Sequence, residues 1–157
     1  MSDAVKIEEA TADDVVPIAR VLVEEFHNEY ENFFPPVDVK KTIEYIGDHY
    51  HRGKIFVAKR DAEVVGVTMA KPTAFWFSHS KYINEGVFYV SPRARRSRAA
   101  KLLTTELKAY ARSLHLPLML GISSGDRVQA KDKFFESQGF TRIGGLYLCA
   151  AETHKQL

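Results

Sequence analysis

A cluster of basic residues is the feature of this sequence with the clearest chemical use. Four arginines fall within six residues, Arg93, Arg95, Arg96 and Arg98, and Lys101 follows them. A helix predicted to begin near residue 99 would present unpaired N–H groups and a partial positive charge there, which disfavours each nearby cation by roughly 0.3–1 kcal/mol. A bound phosphate would offset this cost, with backbone amides as donors and guanidinium groups as clamps. The alternative interpretation is a basic turn that faces solvent.

Two elements must position this basic cluster. Residues 86–90 (GVFYV) are largely β-branched and aromatic, and Pro92 cannot donate to a sheet, so a buried strand is expected to end near Val90. The arginines therefore occupy a loop between this strand and an amphipathic helix. From residue 99 onward the apolar residues recur at helical spacing and form one buried stripe: Ala99, Ala100, Leu103, Leu107, Ala111 and Leu114.

The composition is typical of one soluble domain covering residues 1–157. Hydrophobic residues make up 45% and charged residues 27% of the chain. No apolar run approaches the roughly 18 residues that a membrane span needs, so no membrane partner is expected. The start Met-Ser-Asp has no basic or apolar leader region, which predicts a cytoplasmic protein. A net charge of +2 does not favour a broad nucleic-acid surface, and whether the chain forms a homodimer stays open.

Cysteine and histidine usage predicts neither a disulfide nor a metal site. The one cysteine, Cys149, excludes an intrachain bridge. The six histidines lack metal-ligand spacing beside cysteines or carboxylates. His49 and His51 are two residues apart, so on a helix they would point to different faces. We therefore expect no metal.

Hydrophobic periodicity and breaker residues predict the order β-α-α-β-β-β-α-β-α-β-β. Thr11 and Asp14 have the pattern of a helix cap, and Gly53 and Gly139 are expected to end the second and last helices. The first helix reaches Phe26, and the others cover residues 37–51, 98–114 and 128–138. Strands are predicted at 5–8, 55–58, 64–70, 86–90, 117–122, 140–143 and 146–150. The last two would form a closing hairpin around Gly144 and Gly145.

Four local motifs make the sequence resemble the GNAT superfamily of N-acetyltransferases over nearly its whole length. Residues 7–14 (IEEATADD) look like the first strand and helix cap of that family, and residues 64–67 (VVGV) look like its third strand. Residues 90–100 (VSPRARRSRAA) fall on its acyl-CoA signature, in which V-x-P is followed by Q/R-x-x-G-x-G/A. Residues 134–140 (FFESQGF) resemble its F-Y-E-x-x-G-F motif. The resemblance implies an α/β fold with a mixed sheet.

The resemblance also implies a reaction and a cosubstrate. A protein of this kind would move an acetyl group from acetyl-CoA to a primary amine of a small molecule or a protein. The backbone of Phe88, Tyr89 and Val90 would pair with the pantetheine arm as an added strand does. The pyrophosphate would be held by the amides of six consecutive residues: Arg95, Arg96, Ser97, Arg98, Ala99 and Ala100.

Three departures from the family pattern open a second hypothesis. Arg98 stands where the family has a glycine, and Phe135 stands where many members have the tyrosine that protonates the leaving thiolate. An asparagine often found before the last helix is absent around Val128 and Gln129. The chain could therefore be a catalytically impaired CoA-binding or protein-interaction domain. A third hypothesis, a nucleic-acid module using residues 93–101, lacks the aromatics that single-strand binders interleave with their cations.

Candidate catalytic groups follow from the needs of acyl transfer. Glu85 is the candidate general base, because a carboxylate half-buried in a sheet has a raised pKa; the alternative is a solvent-facing or salt-bridged acid. A backbone amide between Phe88 and Val90 could polarise the thioester carbonyl. The thiolate could take its proton from Tyr147, Ser124, Cys149 or water, although each of these side chains also has an ordinary structural role.

The acceptor amine is expected to bind near two aromatic segments. Tyr30, Phe33, Phe34 and Trp76, with Phe75 and Phe77, could line an apolar slot. Acidic residues near the N-terminus could attract a cationic amine: Glu24, Glu25, Glu29 and Glu31. The alternative is that the aromatics pack in the core and the acids form a solvated helix face.

Overall fold

The computed structural model describes residues 4–26, 35–124 and 126–149 of the chain. From the first strand to the last helix, they form five strands and four α-helices in the predicted order. Among these residues, no helix is both long enough and apolar enough to cross a membrane. The elements are β1 (Lys6–Glu9), α1 (Val15–Val21), α2 (Val39–Arg52), β2 (Lys54–Arg60), β3 (Glu63–Ala74), β4 (Lys81–Val90), α3 (Ala99–Ser113), β5 (Leu118–Met119) and α4 (Val128–Ser137).

The five strands form one mixed sheet in the order β1-β2-β3-β4-β5. The first three pairs of neighbours are antiparallel, whereas β4 and β5 are parallel. The connection through α3 explains this change, because a parallel neighbour needs a long crossover, usually a helix. The predicted α/β architecture with a mixed sheet is confirmed.

Helices cover both faces of this sheet. Ile18 of α1 and Ile46 of α2 are fully buried against Val57, Val67 and other residues on one face. The other face is covered by the predicted stripe of α3, in which Ala99, Leu103, Leu107 and Ala111 are buried. Ala100 is only partly buried, and Leu114 is 44% exposed because it lies beyond the last helical residue, Ser113.

Helix ends follow the predicted capping signals. Thr11 donates its backbone N–H to Asp14 Oδ2 at 2.8 Å, ahead of α1. Asp38 caps α2 by accepting from Lys41 N at 2.8 Å. Gly53 follows α2 directly, and Gly139 follows α4 with φ of +91°, which favours glycine. The signals predicted at Thr11, Asp14, Gly53 and Gly139 are confirmed, whereas the Asp38 cap was not predicted.

The β3–β4 hairpin is longer than the sequence predicts. β3 continues to Ala74 and β4 begins at Lys81, although residues 71–83 carry no clear strand pattern. Pro72 is tolerated inside β3 because β2 pairs with β3 only as far as Ala70, so no partner on that side needs its missing N–H. The pairing with β4 then organises the rest of the segment, with Pro72 opposite Ile83.

The C-terminal end of the chain departs from the prediction. β5 covers two residues rather than 117–122, and the described residues 140–149 contain no strand, so the predicted closing hairpin is absent there. Ile143, Leu146 and Leu148 are exposed instead of packed. A strand of two residues offers few backbone groups for a further strand to pair with. The segments predicted as strands within residues 140–149 therefore have no neighbouring strand to pair with.

Gly47 offers a way to test the stability contribution of α2. It lies inside the helix, and a Cβ built there meets no atom within 4 Å. Gly47→Ala should therefore raise the free energy of unfolding by roughly 0.5–1 kcal/mol, because alanine loses less backbone entropy. Denaturant unfolding would measure the change, and a destabilised variant would contradict the open packing around Gly47.

Candidate active site

A cleft opens where β4 and β5 separate. The two strands pair only at Ile83 with Leu118 and at Asn84 with Met119, and beyond these pairs a space of about 380 Å³ lies between β4, the start of α3 and α4. Its walls are formed by residues 85–90 of β4, Arg95 and Ala100, residues 121–124, part of α4, and Phe26. The cleft is therefore a gap between adjacent strands of the sheet.

The edge of β4 that faces the cleft pairs with no described strand beyond Asn84. Ser91 N donates to Val65 O at 2.8 Å, so in the antiparallel ladder alternate residues, Val87 and Tyr89, direct their backbone groups at β3. Phe88 and Val90 then direct theirs to the other edge, where β5 has already ended. Val90 O accepts from Arg95 Nε at 3.2 Å, which agrees with this direction. An extended ligand could pair with this edge.

A β-bulge in β4 lies beside Glu85. Met69 is opposite Val87 and Ala70 is opposite Glu85, so Gly86 is an extra residue without a partner on β3. Glu85 is one of the residues that line the cleft. Burial raises the pKa of Glu85 to about 7, although the N–H of Gly121 donates to its carboxyl and opposes the shift. This carboxyl can hold or release a proton near neutral pH.

The four arginines ahead of α3 have different roles. Arg93 forms an ion pair with Glu25 and donates to Val64 O at 3.2 Å, so it ties the loop to the N-terminal part of the chain. Arg95 donates to Val90 O and lies 6.0 Å from the centre of the Tyr89 ring. The exposed Arg96 and Arg98 form no ion pair with another described residue.

The N-terminus of α3 therefore lies among cations and has free donors. Ser97 Oγ accepts from Ala99 N at 3.1 Å, but the N–H groups of Arg96, Arg98 and Ala100 donate to no described residue. Arg98 has φ of −83°, so this backbone does not need the conformational freedom of a glycine. The arrangement is suited to an anion, since N–H groups, the helix dipole and arginines act together.

Comparison with known proteins identifies the family. The model of the Acetyltransferase (GNAT) family matches residues 20–140. The chain belongs to this family. No curated protein matches the sequence.

Solved GNAT-like structures share the fold. A predicted acetyltransferase from Clostridium acetobutylicum, solved with acetyl-CoA, has a TM-score of 0.70 at 12% identity and covers 94% of this chain and 96% of its own. A Trypanosoma brucei acetyltransferase has a TM-score of 0.69 at 15% identity, and the match covers 94% of this chain and 100% of its own. An aminoglycoside acetyltransferase from an uncultured soil metagenomic sample has a TM-score of 0.64 at 17% identity, and the match covers 94% of this chain and 97% of its own. At such identities the likeness shows the fold alone.

The structure brings most of the predicted GNAT residues to the cleft or its rim. Seven of them line it: Glu85, Phe88, Tyr89, Val90, Arg95, Ala100 and Ser124. Arg96, Ser97, Arg98 and Ala99 lie at the start of α3 beside the cleft, where Ala99 is buried against the sheet. Together these residues surround one continuous site.

Other predicted residues lie elsewhere. Tyr147 and Trp76 are each 95% exposed, and neither lines the cleft. Cys149 is also exposed. Tyr30, Phe33 and Phe34 lie outside the described residues, as do Glu29 and Glu31. In the described part of the chain, no group of three or more His, Cys, Asp or Glu side chains is arranged to hold a metal.

Phe135 and Ser124 both line the GNAT cleft and differ in their capacity to donate a proton. Phe135 packs edge-on against Phe88, with ring centres 5.6 Å apart, and has no hydroxyl. Ser124 Oγ accepts from Lys131 Nζ at 2.8 Å and from Asp126 N at 3.2 Å. Because both contacts use the serine oxygen as acceptor, its own proton is available for donation.

Sequence analysis missed the residues behind the bulge. Tyr45 donates its hydroxyl to Gly86 O at 3.2 Å, and the buried His49 lies beside it on α2. It also missed Gly121, whose N–H reaches Glu85. The i, i+4 spacing of Tyr45 and His49 could have shown that they share a helix face. Nothing local shows that this face meets β4.

Proposed function

We propose that this chain is an acetyl-CoA-dependent N-acetyltransferase that acts on a primary amine of a small molecule or a protein. The observation that carries the proposal is the position of Glu85, a carboxyl with a pKa of about 7, in the same cleft as the free edge of β4. Such a pKa suits a general base that works near neutral pH. Membership of the GNAT family supports the transfer of an acetyl group.

The cofactor would use two features of the site. The pantetheine arm would pair with the backbone groups of Phe88 and Val90 that face the cleft, as a strand added to a sheet edge does. The pyrophosphate would lie at the N-terminus of α3, where Arg96 and Arg98 form no ion pair with another described residue. Phosphate there would offset the repulsion between these cations and the helix dipole.

The chemistry would then proceed by direct transfer. The neutral amine attacks the thioester carbonyl, and a C–N bond forms while Glu85 takes the amine proton, directly or through water. A β4 amide, from Phe88 or Val90, stabilises the developing oxyanion. The C–S bond breaks, and the thiolate takes a proton from water or from Ser124. Holding both reactants in one cleft supplies much of the rate.

Two measurements test this function. Acetyl-CoA should raise the melting temperature in a concentration-dependent way, because a ligand that binds only the folded state stabilises it. Free-thiol release over a panel of primary amines should then identify an acceptor. The proposal would be refuted if millimolar acetyl-CoA caused no shift in melting temperature and no thiol was released with any amine.

Phe135 favours a second candidate function, a CoA-binding domain without catalysis. The hydroxyl that many GNAT members use to protonate the thiolate is missing, and Phe135 packs on Phe88 instead. This function predicts a large shift in melting temperature with CoA but no thiol release with any amine. Thiol release that depends on one amine would exclude it.

Arg98→Gly tests the role of the arginine that replaces the family glycine. We expect the variant to bind acetyl-CoA about three- to tenfold more weakly, because an exposed charge contact is lost and no backbone strain is relieved at φ of −83°. Titration calorimetry on both proteins would measure the change. Arg112→Gly, in the last turn of α3, is the matched control. Tighter binding by Arg98→Gly would show that the arginine obstructs the site.

A further inference from the structure

Two polar side chains of α2 lie against the β4 bulge and have no part in the reaction described above. Tyr45 and His49 lie one helical turn apart, and their ring centres are 4.6 Å apart. Both meet Gly86, since a Cβ built on this glycine would lie 2.5 Å from His49 Nε2 and 2.7 Å from the Tyr45 hydroxyl oxygen. The backbone of β4 therefore lies so close to these two side chains of α2 that a residue other than glycine would displace them.

The hydrogen bonds of this contact have a defined direction. His49 Nδ1 lies 3.0 Å from the carbonyl oxygen of Tyr45, which can only accept, so Nδ1 carries the proton of the neutral ring. Burial lowers the pKa of His49, which keeps the ring neutral. Burial and the charge of Glu85 raise the pKa of Tyr45, so its hydroxyl stays protonated and donates to Gly86 O.

The bulge connects this contact to Glu85. Gly86 is the extra residue of β4, and Glu85 directly precedes it. On its other side, the Glu85 carboxyl accepts from the N–H of Gly121, in the segment after β5. A bulge lacks ladder hydrogen bonds at the extra residue, so its conformation depends on contacts outside the ladder. The Tyr45 hydroxyl supplies one directly to the Gly86 carbonyl.

We propose that Tyr45, supported by His49, is a positioning residue for acetyl transfer, which fixes the Gly86 bulge and so aims the Glu85 carboxyl at the cleft. The inference rests on the proposed function, in which Glu85 is the base. Tyr45 itself does not line the cleft and does not touch the reacting atoms. Its effect is on the direction of a neighbouring side chain, through a backbone carbonyl.

Tyr45→Phe is the test, because it removes the hydroxyl and keeps the ring that packs on His49. Tyr50→Phe is the matched control: it removes a partly exposed hydroxyl from the same helix, next to His51 and away from Gly86. We expect Tyr45→Phe to lower kcat about five- to tenfold, the loss of about one hydrogen bond, while KM for acetyl-CoA stays unchanged. The control should change neither constant.

A second readout does not depend on activity. The Gly121 amide should exchange with water several-fold faster in Tyr45→Phe than in Tyr50→Phe, as measured by NMR, because a displaced Glu85 no longer accepts its N–H. Equal exchange rates in the two variants would overturn the inference, and so would faster exchange with an unaltered kcat. If the wild type released no thiol with any amine, the proposed function would fail, whereas the Gly121 rates would still decide whether Tyr45 positions Glu85.

Discussion

Glu85→Gln should lower kcat for acetyl transfer by about 10²–10⁴-fold, the usual contribution of a positioned general base. Glutamine keeps the size of the side chain but cannot take the amine proton. Affinity for acetyl-CoA should stay within about twofold, because the β4 edge and the α3 N-terminus are unaltered. Glu136→Gln, on the exposed face of α4, is the matched control. Full activity of Glu85→Gln in steady-state assays would remove Glu85 from the mechanism.

The pH dependence of the same variant gives an independent check. The wild-type kcat/KM should rise with pH through about 7, as Glu85 loses its proton, and this rise should be absent in Glu85→Gln.

The free energy of unfolding should instead fall as pH rises. Since the folded pKa of about 7 exceeds the ordinary value of 4.5, the folded state binds more protons between these pH values, and its stability falls as pH rises through this range. At pH 8, therefore, Glu85→Gln should melt higher than the wild type.

Gly86→Ala should damage both stability and activity. Its Cβ would lie 2.5 Å from Nε2 of the buried His49 and 2.7 Å from the Tyr45 hydroxyl oxygen, so these side chains or the elements that carry them must shift, at a cost of about 1–3 kcal/mol in the free energy of unfolding. The movement would also shift Glu85, so kcat should fall by more than tenfold. Denaturant unfolding and steady-state kinetics measure the two effects. Gly47→Ala is the matched control, because the same substitution meets open space there.

A double variant separates the steric cause from other effects of Gly86→Ala. Combined with His49→Ala, which removes the closest obstacle, the substitution should cost less than the sum of the two single changes, with a coupling of about 1 kcal/mol. Strict additivity would mean that the clash with His49 is not the reason for the loss. A stable and fully active Gly86→Ala would contradict the close approach of β4 to α2.

Local signals in the sequence were sufficient for the elements that build the proposed cofactor side of the site. Pro92 predicts the end of β4 at Val90, and the apolar stripe beginning at Ala99 predicts α3, because both depend on residues near in sequence. The unfavourable charge at this helix start predicts an anion site for the same reason. Backbone preference and helix electrostatics act over a few residues, so a sequence displays them directly.

Features that depend on distant pairing were not visible in the sequence. Arg93 belongs by type and position to the basic cluster, yet it pairs with Glu25, 68 residues away. The contact of Tyr45 with Gly86 joins residues 41 apart. The shortness of β5 likewise depends on where β4 and β5 diverge, since residues 117–122 have the composition of a longer strand. Such contacts depend on the packing of whole elements and have no local signal.

The narrow junction between β4 and β5 has a consequence for how firmly the chain is joined together. In the described part of the chain, two ladder positions join the backbone of the segment that begins at Leu118 to the sheet, beside side-chain contacts such as that of Phe135 with Phe88, so this last part is the first that should open when the molecule fluctuates. A pantetheine arm seated between the two strands would bridge the junction. Amides after Leu118 should consequently gain the largest protection from deuterium when the cosubstrate is added, and those of β1 and β2 the least.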